Sequence, residues 1–145
     1  MAAINPSGFP VERGKIHEFA NSILDDNPHY HDEEAAKADG LATVVAPPTY
    51  VSVGSYFLAQ ERGPGMADLD MRYVLHGGSE WTFERPIMAG DVLTTEAGET
   101  TSYEKTGKRG GTMKFIDSET IYKDQNGEVV MRLKSTVIQT AGVVS

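Results

Sequence analysis

The chain has 145 residues and a mass of 15.7 kDa, which is enough for one domain with its own hydrophobic core. Its composition, with 39% hydrophobic and 23% charged residues, is that of a globular protein, and the lack of cysteine excludes disulfides, thiolate catalysis and cysteine-ligated metal sites. A formal net charge of −8 disfavours nucleic acid as a partner, because phosphates repel an acidic chain.

Two helices are predicted in the first forty residues. The first covers residues 11–24, where one apolar stripe is formed by Ile16, Phe19, Ala20 and Ile23. Pro28 ends helical propagation, because proline disfavours the helical conformation of the residue before it. Asp32 is the predicted N-cap of a short second helix, and Gly40 the residue that ends it.

A third helix is predicted over residues 48–60, within a stretch (residues 41–60) that contains no charged residue. Two prolines in this stretch, and flanks without a topology signal, favour a buried helix of a soluble protein over a membrane span. The helix is apolar nearly all round and must therefore be surrounded by protein. Residues 1–10 show no basic or long apolar run, so we expect a cytoplasmic protein without a signal peptide.

The second half of the chain has the pattern of β-strands. Apolar and polar residues alternate around Trp81, and residues 91–103 and 112–123 are rich in Thr, Tyr and Ile. Asn126-Gly127 is the strongest hairpin signal of the chain, and a last alternating strand runs from Val129 to Val137. Consecutive hairpins predict an antiparallel meander of about four strands.

This order of elements predicts an α+β fold in one domain, residues 1–145. A single sheet encloses a helix only by curling around it, and a curled antiparallel sheet wrapped around one buried helix is the hot-dog fold. Such a sheet keeps free edges, which favour pairing with a second copy or a related subunit. We therefore expect a dimer.

Four motifs follow one another with the spacing of one enzyme family. They are Asp25-Asp26-Asn27-Pro28, Ala46-Pro47-Pro48-Thr49, Leu75-His76-Gly77-Gly78-Ser79-Glu80-Trp81, and Phe83-Glu84-Arg85-Pro86 before Gly90-Asp91. With them the chain resembles the MaoC-like hydratase/dehydratase superfamily. Within it, the chain is similar to the N-terminal, fatty-acid-synthase-type dehydratase branch, which includes mycobacterial hydroxyacyl-thioester dehydratase subunits.

The resemblance implies the chemistry of acyl thioesters. Members of the superfamily add water to a trans-2-enoyl thioester or remove it from an (R)-3-hydroxyacyl thioester. This chemistry uses a carboxylate and an imidazole to hold a water molecule, and N–H groups to polarise the thioester carbonyl. The resemblance implies no cofactor, since coenzyme A or phosphopantetheine is part of the substrate.

The chain departs from the active family motif, Asp-x-Asn-Pro-aliphatic-His, at the histidine. Asp25 and Asn27 match, but Tyr30 occupies the histidine position. A phenol, with an ordinary pKa of about 10, is a poor base at neutral pH, where an imidazole of about 6.5 is suited to the task. His29 and His31 flank Tyr30 out of register. The resemblance thus implies a substrate-binding half, paired with a second hot-dog subunit that carries an intact Asp/His motif.

Local structure offers a second interpretation of the same residues. Asp25 and Asn27 are also suited to Asx hydrogen bonds that turn the chain before Pro28. Tyr30 is equally well explained as a packing residue with a hydroxyl anchor, and His29 and His31 as exposed turn residues. No third ligand stands at a metal-binding spacing, so no metal site is expected.

Other candidates for substrate binding lie on both sides of the predicted buried helix. Pro47, Pro48 and Thr49 precede its first N–H groups, which carry partial positive charge and form a candidate oxyanion hole. Arg85 is a candidate through the family motif to which it belongs.

Two glycine-containing segments complete the list of candidates. His76, Gly77 and Gly78 break the strand pattern, which predicts a bulge or a close backbone approach. The segment is either a wall of the site near the thioester, a contact with another subunit, or a bent strand with a hydrogen-bonded histidine. Residues 105–111 are the one dense basic cluster. It is suited to coenzyme A phosphates or an acidic carrier protein, but such a cluster is more often a solvated hairpin tip.

Three further functions stay open at this point. A self-sufficient homodimer would use Asp25 with His29, His31 or His76. A hot-dog thioesterase would need a carboxylate on the central helix, and residues 51–60 contain no Asp, Glu or His. An acyl-binding module would perform no chemistry. Acyl length depends on the shape of a tunnel, which strand alternation does not define.

Overall fold

The structure is a computed structural model that describes residues 8–56, 69–107 and 111–141, without the side chains of residues 55 and 56. The described α-helices are α1 (Arg13–Ser22) and α2 (Glu33–Ala38). The described strands are β1 (Phe9–Pro10), β2 (Val74–Phe83), β3 (Val92–Thr106), β4 (Thr112–Lys123) and β5 (Val129–Gln139). Short 3₁₀-helices span Pro28–Tyr30, Tyr50–Tyr56 and Met71–Tyr73.

The strands form one antiparallel sheet in the order β1-β3-β4-β5-β2. The predicted meander is present from β3 to β5, with the Asn126-Gly127 turn between β4 and β5 and Gly127 at a φ of 81°. The prediction that β2 and β3 form the first hairpin of the meander is wrong, because β2 borders β5 and not β3. The β2–β3 connection contains Pro86 and forms the Val45–Met88 bridge, so it is not a tight hairpin turn.

Strand β1 was not predicted, and the first helix is shorter than predicted. Phe9 pairs with Leu93 and Pro10 with Val92, and two residues are too few for a period to show in the sequence. Helix α1 begins at Arg13 and ends at Ser22, inside the predicted bounds of 11–24. Ile23 was expected on the buried stripe but lies beyond the helix end and is 46% exposed.

The capping predictions for α2 are confirmed. The Asp32 carboxylate accepts hydrogen bonds from the N–H groups of Glu34 and Ala35, which have no partner inside the helix. Gly40 follows the C-cap residue with a φ of 87°, the left-handed conformation that a glycine adopts without steric cost.

The central segment is buried as expected, but its helix type differs from the prediction. Tyr50–Tyr56 is a 3₁₀-helix in place of an α-helix, and the rest of the predicted helix, residues 57–60, lies outside the described residues. A Cβ at Gly54 would stand 2.8 Å from the Phe9 ring, so the backbone here follows a close tertiary contact. That contact, with two β-branched valines in the segment, outweighs the local preference for a wider α-helical turn.

Tyr50 is the largest fully buried side chain of this segment. Its ring meets Phe19 edge to face at 5.6 Å between centroids. Burial raises the pKa of Tyr50 to about 12, and a weak contact with the Glu12 backbone acts in the opposite direction. Within the described residues, no group reaches hydrogen-bonding geometry with the Tyr50 hydroxyl.

The chain divides into two compact units, each built from separate segments. The first contains residues 8–56 with Phe83–Thr95 and Tyr122–Met131, and it holds most of the described core, including Phe9, Ile16, Tyr50, Leu93 and Val130. The second contains residues 69–82, 96–107, 111–121 and 132–141, with Leu69 and Ile116 buried. All the helices of the described chain fall short of the length and apolar character needed to cross a membrane.

Candidate functional site

The loop after α1 is built from two consecutive Asx turns. The Asn27 N–H donates to Asp25 Oδ1 at 3.1 Å, and the His29 N–H donates to Asn27 Oδ1 at 3.1 Å. These bonds start the 3₁₀-helix at Pro28, so the local, chain-turning interpretation of Asp25 and Asn27 is confirmed. The same bonds fix where both side chains lie.

Tyr30 is the residue that faces this pair. It is buried, and its pKa is raised first by loss of solvation and then by the negative charge of Asp25, while a hydrogen bond with the Asn27 side chain acts in the opposite direction. The phenol therefore stays protonated at neutral pH and can donate a hydrogen bond, but it cannot accept a proton from water. The degenerate motif still brings Asp25, Asn27 and Tyr30 together.

His29 is directed away from Asp25. Its Nε2 lies 2.6 Å from Asp39 Oδ2, at the C-cap of α2. Its carbonyl accepts a hydrogen bond from the Val45 N–H at 3.0 Å. The ring thus contacts α2 and not the aspartate of the motif, as the one-residue offset from the motif predicts.

His31 contacts the backbone of Asp25 and the ring of His17. Its Nε2 lies 2.9 Å from the Asp25 carbonyl oxygen, and its Nδ1 lies 2.7 Å from His17 Nδ1. The two rings are nearly perpendicular, at 88° with 4.7 Å between centroids. We call these two residues the His17–His31 pair.

Sequence reasoning missed His17. The sequence did contain a signal for it. His17 and Asn21 are one helical turn apart on the polar face of α1, and α1 leads directly into the loop that contains Asp25 and Asn27. The structure places both at an open depression of about 380 Å³, together with Leu24, Asp25, Asp26 and His31.

The N–H groups of the candidate oxyanion hole are partly engaged within the chain. The Tyr50 N–H donates to the Pro47 carbonyl at 2.9 Å, and the Ser52 N–H to the Thr49 carbonyl at 3.1 Å. Pro47 is buried, whereas Pro48 and Thr49 are exposed. A role for these residues in binding a thioester carbonyl stays a prediction.

In the segment His76–Gly78, one glycine permits a close contact with a neighbouring strand, and the predicted bulge is not observed. Strand β2 runs through the segment without interruption. A Cβ at Gly77 would stand 2.9 Å from Thr136 and 3.0 Å from Ile138, whereas a Cβ at Gly78 would meet nothing within 4 Å. The predicted close backbone approach is therefore present at Gly77. His76 is exposed, with Nε2 at 3.3 Å from Ser79 Oγ.

Arg85 is committed to two carboxylates. It forms a two-pronged contact with Asp91 at 2.8 and 2.9 Å, and it reaches Asp124 at 3.0 Å. Asp91 and Asp124 are 6% and 7% exposed, so Arg85 is the shared cation of two buried carboxylates and offsets one of their two negative charges. These contacts raise the pKa of Arg85 and give the side chain a structural role, which the sequence did not show because Asp124 follows it by 39 residues.

The predicted basic tip is described only at its ends, since residues 108–110 lie outside the described residues. Lys105 Nζ lies 5.0 Å from the ring centroids of both Tyr103 and Phe115, which stack in parallel at 5.1 Å. Lys105 thus forms cation–π contacts on the sheet. In the part of the chain that the structure covers, no three His, Asp or Glu side chains converge as metal ligands would.

The chain belongs to the FAS1-like dehydratase domain family, whose model matches residues 2–133. A UPF0336 protein of Streptomyces griseus is 36% identical over 135 residues, which covers 92% of this chain and 86% of that protein. The expected family is thereby confirmed.

Solved structures with the same fold come from Mycobacterium tuberculosis. The C-terminally truncated HadBC (3R-hydroxyacyl-ACP dehydratase) complex matches with a TM-score of 0.71 at 23% identity, over 92% of this chain and 90% of that one. The ChsH1-ChsH2 complex matches with a TM-score of 0.73 at 22% identity, over 99% and 83%. The chain has the hot-dog fold of the MaoC-like dehydratases, as predicted, and its family model is that of a dehydratase domain.

Proposed function

We propose that this chain is the substrate-binding subunit of an (R)-specific enoyl-thioester hydratase, which also runs in reverse as a 3-hydroxyacyl-thioester dehydratase. Its partner would be a second hot-dog subunit with an intact Asp/His motif. One observation carries the proposal. Tyr30, with a raised pKa, replaces the imidazole that should face the Asp25 carboxylate, while His29 bonds to Asp39 and His31 to the backbone carbonyl of Asp25.

The chemistry explains why that observation matters. Hydration breaks one O–H bond of water, forms a C–O bond at C3 of the enoyl thioester and delivers the proton to C2. A group that titrates near neutral pH has to take that proton and return it. A buried, protonated phenol cannot do so, but it can donate a hydrogen bond to a water molecule or a thioester oxygen.

Two comparisons support an assembly of this kind. HadBC is named as a complex that dehydrates 3R-hydroxyacyl-ACP, and ChsH1-ChsH2 is named as a complex of two proteins. On this basis, the acyl thioester that this subunit binds would be a thioester of coenzyme A or of the phosphopantetheine of a carrier protein. No other cofactor is needed, since the addition of water requires neither an oxidant nor a reductant.

The test rebuilds the motif with one substitution. The purified chain is assayed with crotonyl-CoA and longer enoyl thioesters, and we expect no hydration. Tyr30→His places an imidazole where the motif requires it, and we expect hydration to appear. The activity should vanish again when Asp25→Asn is added. Tyr30→Phe is the matched control, because it keeps the ring and supplies no base.

Other results would favour the alternatives. If the unaltered chain hydrates crotonyl-CoA alone and Asp25→Asn abolishes the reaction, the chain is a self-sufficient homodimer and the proposal is wrong. Release of free thiol from an acyl-CoA would indicate a thioesterase. In the assembly with a motif-bearing hot-dog subunit, activity should survive Asp25→Asn in this chain with a raised KM.

A further inference from the structure

The bonding of His31 determines where its proton lies. A carbonyl oxygen only accepts hydrogen bonds, so His31 Nε2, at 2.9 Å from the Asp25 oxygen, carries a proton and donates it. When the imidazole is neutral, its Nδ1 is then unprotonated and is an acceptor. His17 Nδ1, at 2.7 Å, must therefore carry the proton of the second bond.

The result is a directed chain of two hydrogen bonds. His17 Nδ1–H donates to His31 Nδ1, and His31 Nε2–H donates to the Asp25 carbonyl. The rings are nearly perpendicular, at 88°, and the distance of 2.7 Å between the two Nδ1 atoms is that of a hydrogen bond. A ring in the opposite tautomer at either position would leave two donors or two acceptors facing each other.

Asp25 is held from three directions. Its N–H donates to the Ala20 carbonyl at 2.9 Å, its carbonyl accepts from His31, and its Oδ1 accepts from the Asn27 N–H. The residue before it, Leu24, has a φ of 58°, which leucine adopts only at a cost. A strained neighbour persists only where surrounding contacts over-determine the backbone, and the bond from His31 is one of those contacts.

We propose that His31, supported by His17, is a positioning residue that fixes the Asp25 carboxylate beside Tyr30. The hydrogen-bond chain stands on the geometry alone. Its effect on a substrate rests on the function proposed above, because Asp25 and Tyr30 then form the polar wall against which the thioester is oriented.

The first test is spectroscopic and does not depend on function. In the full chain with ¹⁵N-labelled histidine, at about pH 8 where imidazoles are mostly neutral, long-range ¹⁵N–¹H spectra report the tautomers. We expect the Nδ1–H form for His17 and the Nε2–H form for His31, with a scalar coupling between the two Nδ1 atoms. The Nε2–H form at both residues would overturn the proposal.

The second test uses matched variants of His31. His31→Gln keeps a donor near the Nε2 position, whereas His31→Asn keeps an acceptor for His17 but does not reach the Asp25 carbonyl. We expect His31→Asn to lower the raised pKa of Tyr30, followed by NMR of labelled tyrosine, and His31→Gln to preserve it. A purely structural role would give the same result for both amides.

A third pair of variants tests the support from His17. His17→Asn retains a donor at the Nδ1 position, and His17→Leu removes it. We expect His17→Leu to reproduce the His31→Asn effect on Tyr30 and His17→Asn to behave as the unaltered chain. Circular dichroism confirms folding of each variant, and equal Tyr30 titrations in all four variants would refute the positioning role.

Thioester binding separates this inference from the proposed function. Titration calorimetry with crotonyl-CoA on the assembly should show binding about fivefold weaker for His31→Asn, the net worth of roughly one hydrogen bond, and unchanged for His31→Gln. If the unaltered assembly binds no thioester while the tautomers are as expected, the proposed function fails and the positioning of Asp25 stands. If it binds thioester and His31→Asn binds equally well, the positioning inference fails.

Discussion

Leu24 is the residue whose replacement should make the free chain more stable. It ends α1 in a left-handed turn, with a φ of 58°, a bond from its own N–H to the Asn21 carbonyl at 3.1 Å and a bond from the Asp25 N–H to the Ala20 carbonyl. This pair of bonds is the Schellman arrangement, in which glycine is the usual residue. Leu24 is the one non-glycine residue with positive φ in the described chain.

The magnitude for Leu24→Gly follows from three contributions. Release of the left-handed leucine is worth about 1–2 kcal/mol. The greater freedom of glycine in the unfolded chain costs about 0.5–1 kcal/mol. Since the side chain is 92% exposed, its removal forfeits only roughly 15 Å² of burial, or about 0.4 kcal/mol. With midpoint values the sum is a gain of about 0.4 kcal/mol in the free energy of unfolding, or a rise of about 1 °C in Tm.

The assay is urea unfolding of the isolated chain, with Leu24→Ala as the matched control. Alanine removes the same exposed side chain but stays strained at positive φ, so Leu24→Ala should gain nothing. If Leu24→Gly is no more stable than Leu24→Ala, the strain argument is refuted. If both variants lose more than about 1 kcal/mol, the leucine side chain is buried in the free protein, contrary to the structure.

Three further predictions concern contacts remote from the motif loop. Arg85→Met leaves two buried carboxylates without their cation and should lower the free energy of unfolding by about 2 kcal/mol in urea. Burial alone would raise the pKa of Asp124, but hydrogen bonds from Arg85 and two backbone N–H groups outweigh it, so the pKa is lowered. The stability that the ionised carboxylate gives is present above the ordinary pKa of 3.8 and is lost as the pH falls through the lower folded value. The loss of stability in Arg85→Met should therefore become smaller in acid. Gly77→Ala should destabilise the chain by about 1 kcal/mol while Gly78→Ala is neutral by thermal melting, because the new methyl group meets β5 only at Gly77. Tyr50→Phe should stabilise it by about 1 kcal/mol by removing a buried hydroxyl that has no hydrogen-bond partner among the described residues. A loss of stability in urea would show that the hydroxyl is satisfied.

The sequence predicted those parts of the fold that local interactions determine. The Asp32 cap, the Gly40 terminus and the bounds of β4 depend on neighbours within a few residues, and the structure confirms them. The 3₁₀-form of Tyr50–Tyr56 depends on the approach of Phe9 to Gly54, 45 positions along the chain. The order of β2 and β5 depends likewise on a pairing that no local pattern encodes.

The candidate site shows the same division. The Asx turns of Asp25 and Asn27, and the offset of His29 and His31 from the histidine position of the motif, follow from spacing. Where those histidines go does not. His31 meets a ring 14 positions earlier on α1, and His29 meets the end of α2, so both partners are set by how the helices pack.

The loop therefore holds Asp25 and Asn27 in a fixed turn beside Tyr30, with no imidazole at position 30. Asp25 is fixed by three hydrogen bonds that do not involve the side chain of Tyr30, so a change at that position should leave the carboxylate in place. Because Tyr30 is buried and within the electrostatic reach of Asp25, an imidazole at position 30 would face the same carboxylate, which would favour its protonated form. Activity gained by Tyr30→His should then depend on His31 as well, and should fall in Tyr30→His/His31→Asn but not in Tyr30→His/His31→Gln. Equal activity of the two double variants would mean that the Asp25 backbone needs no support from His31.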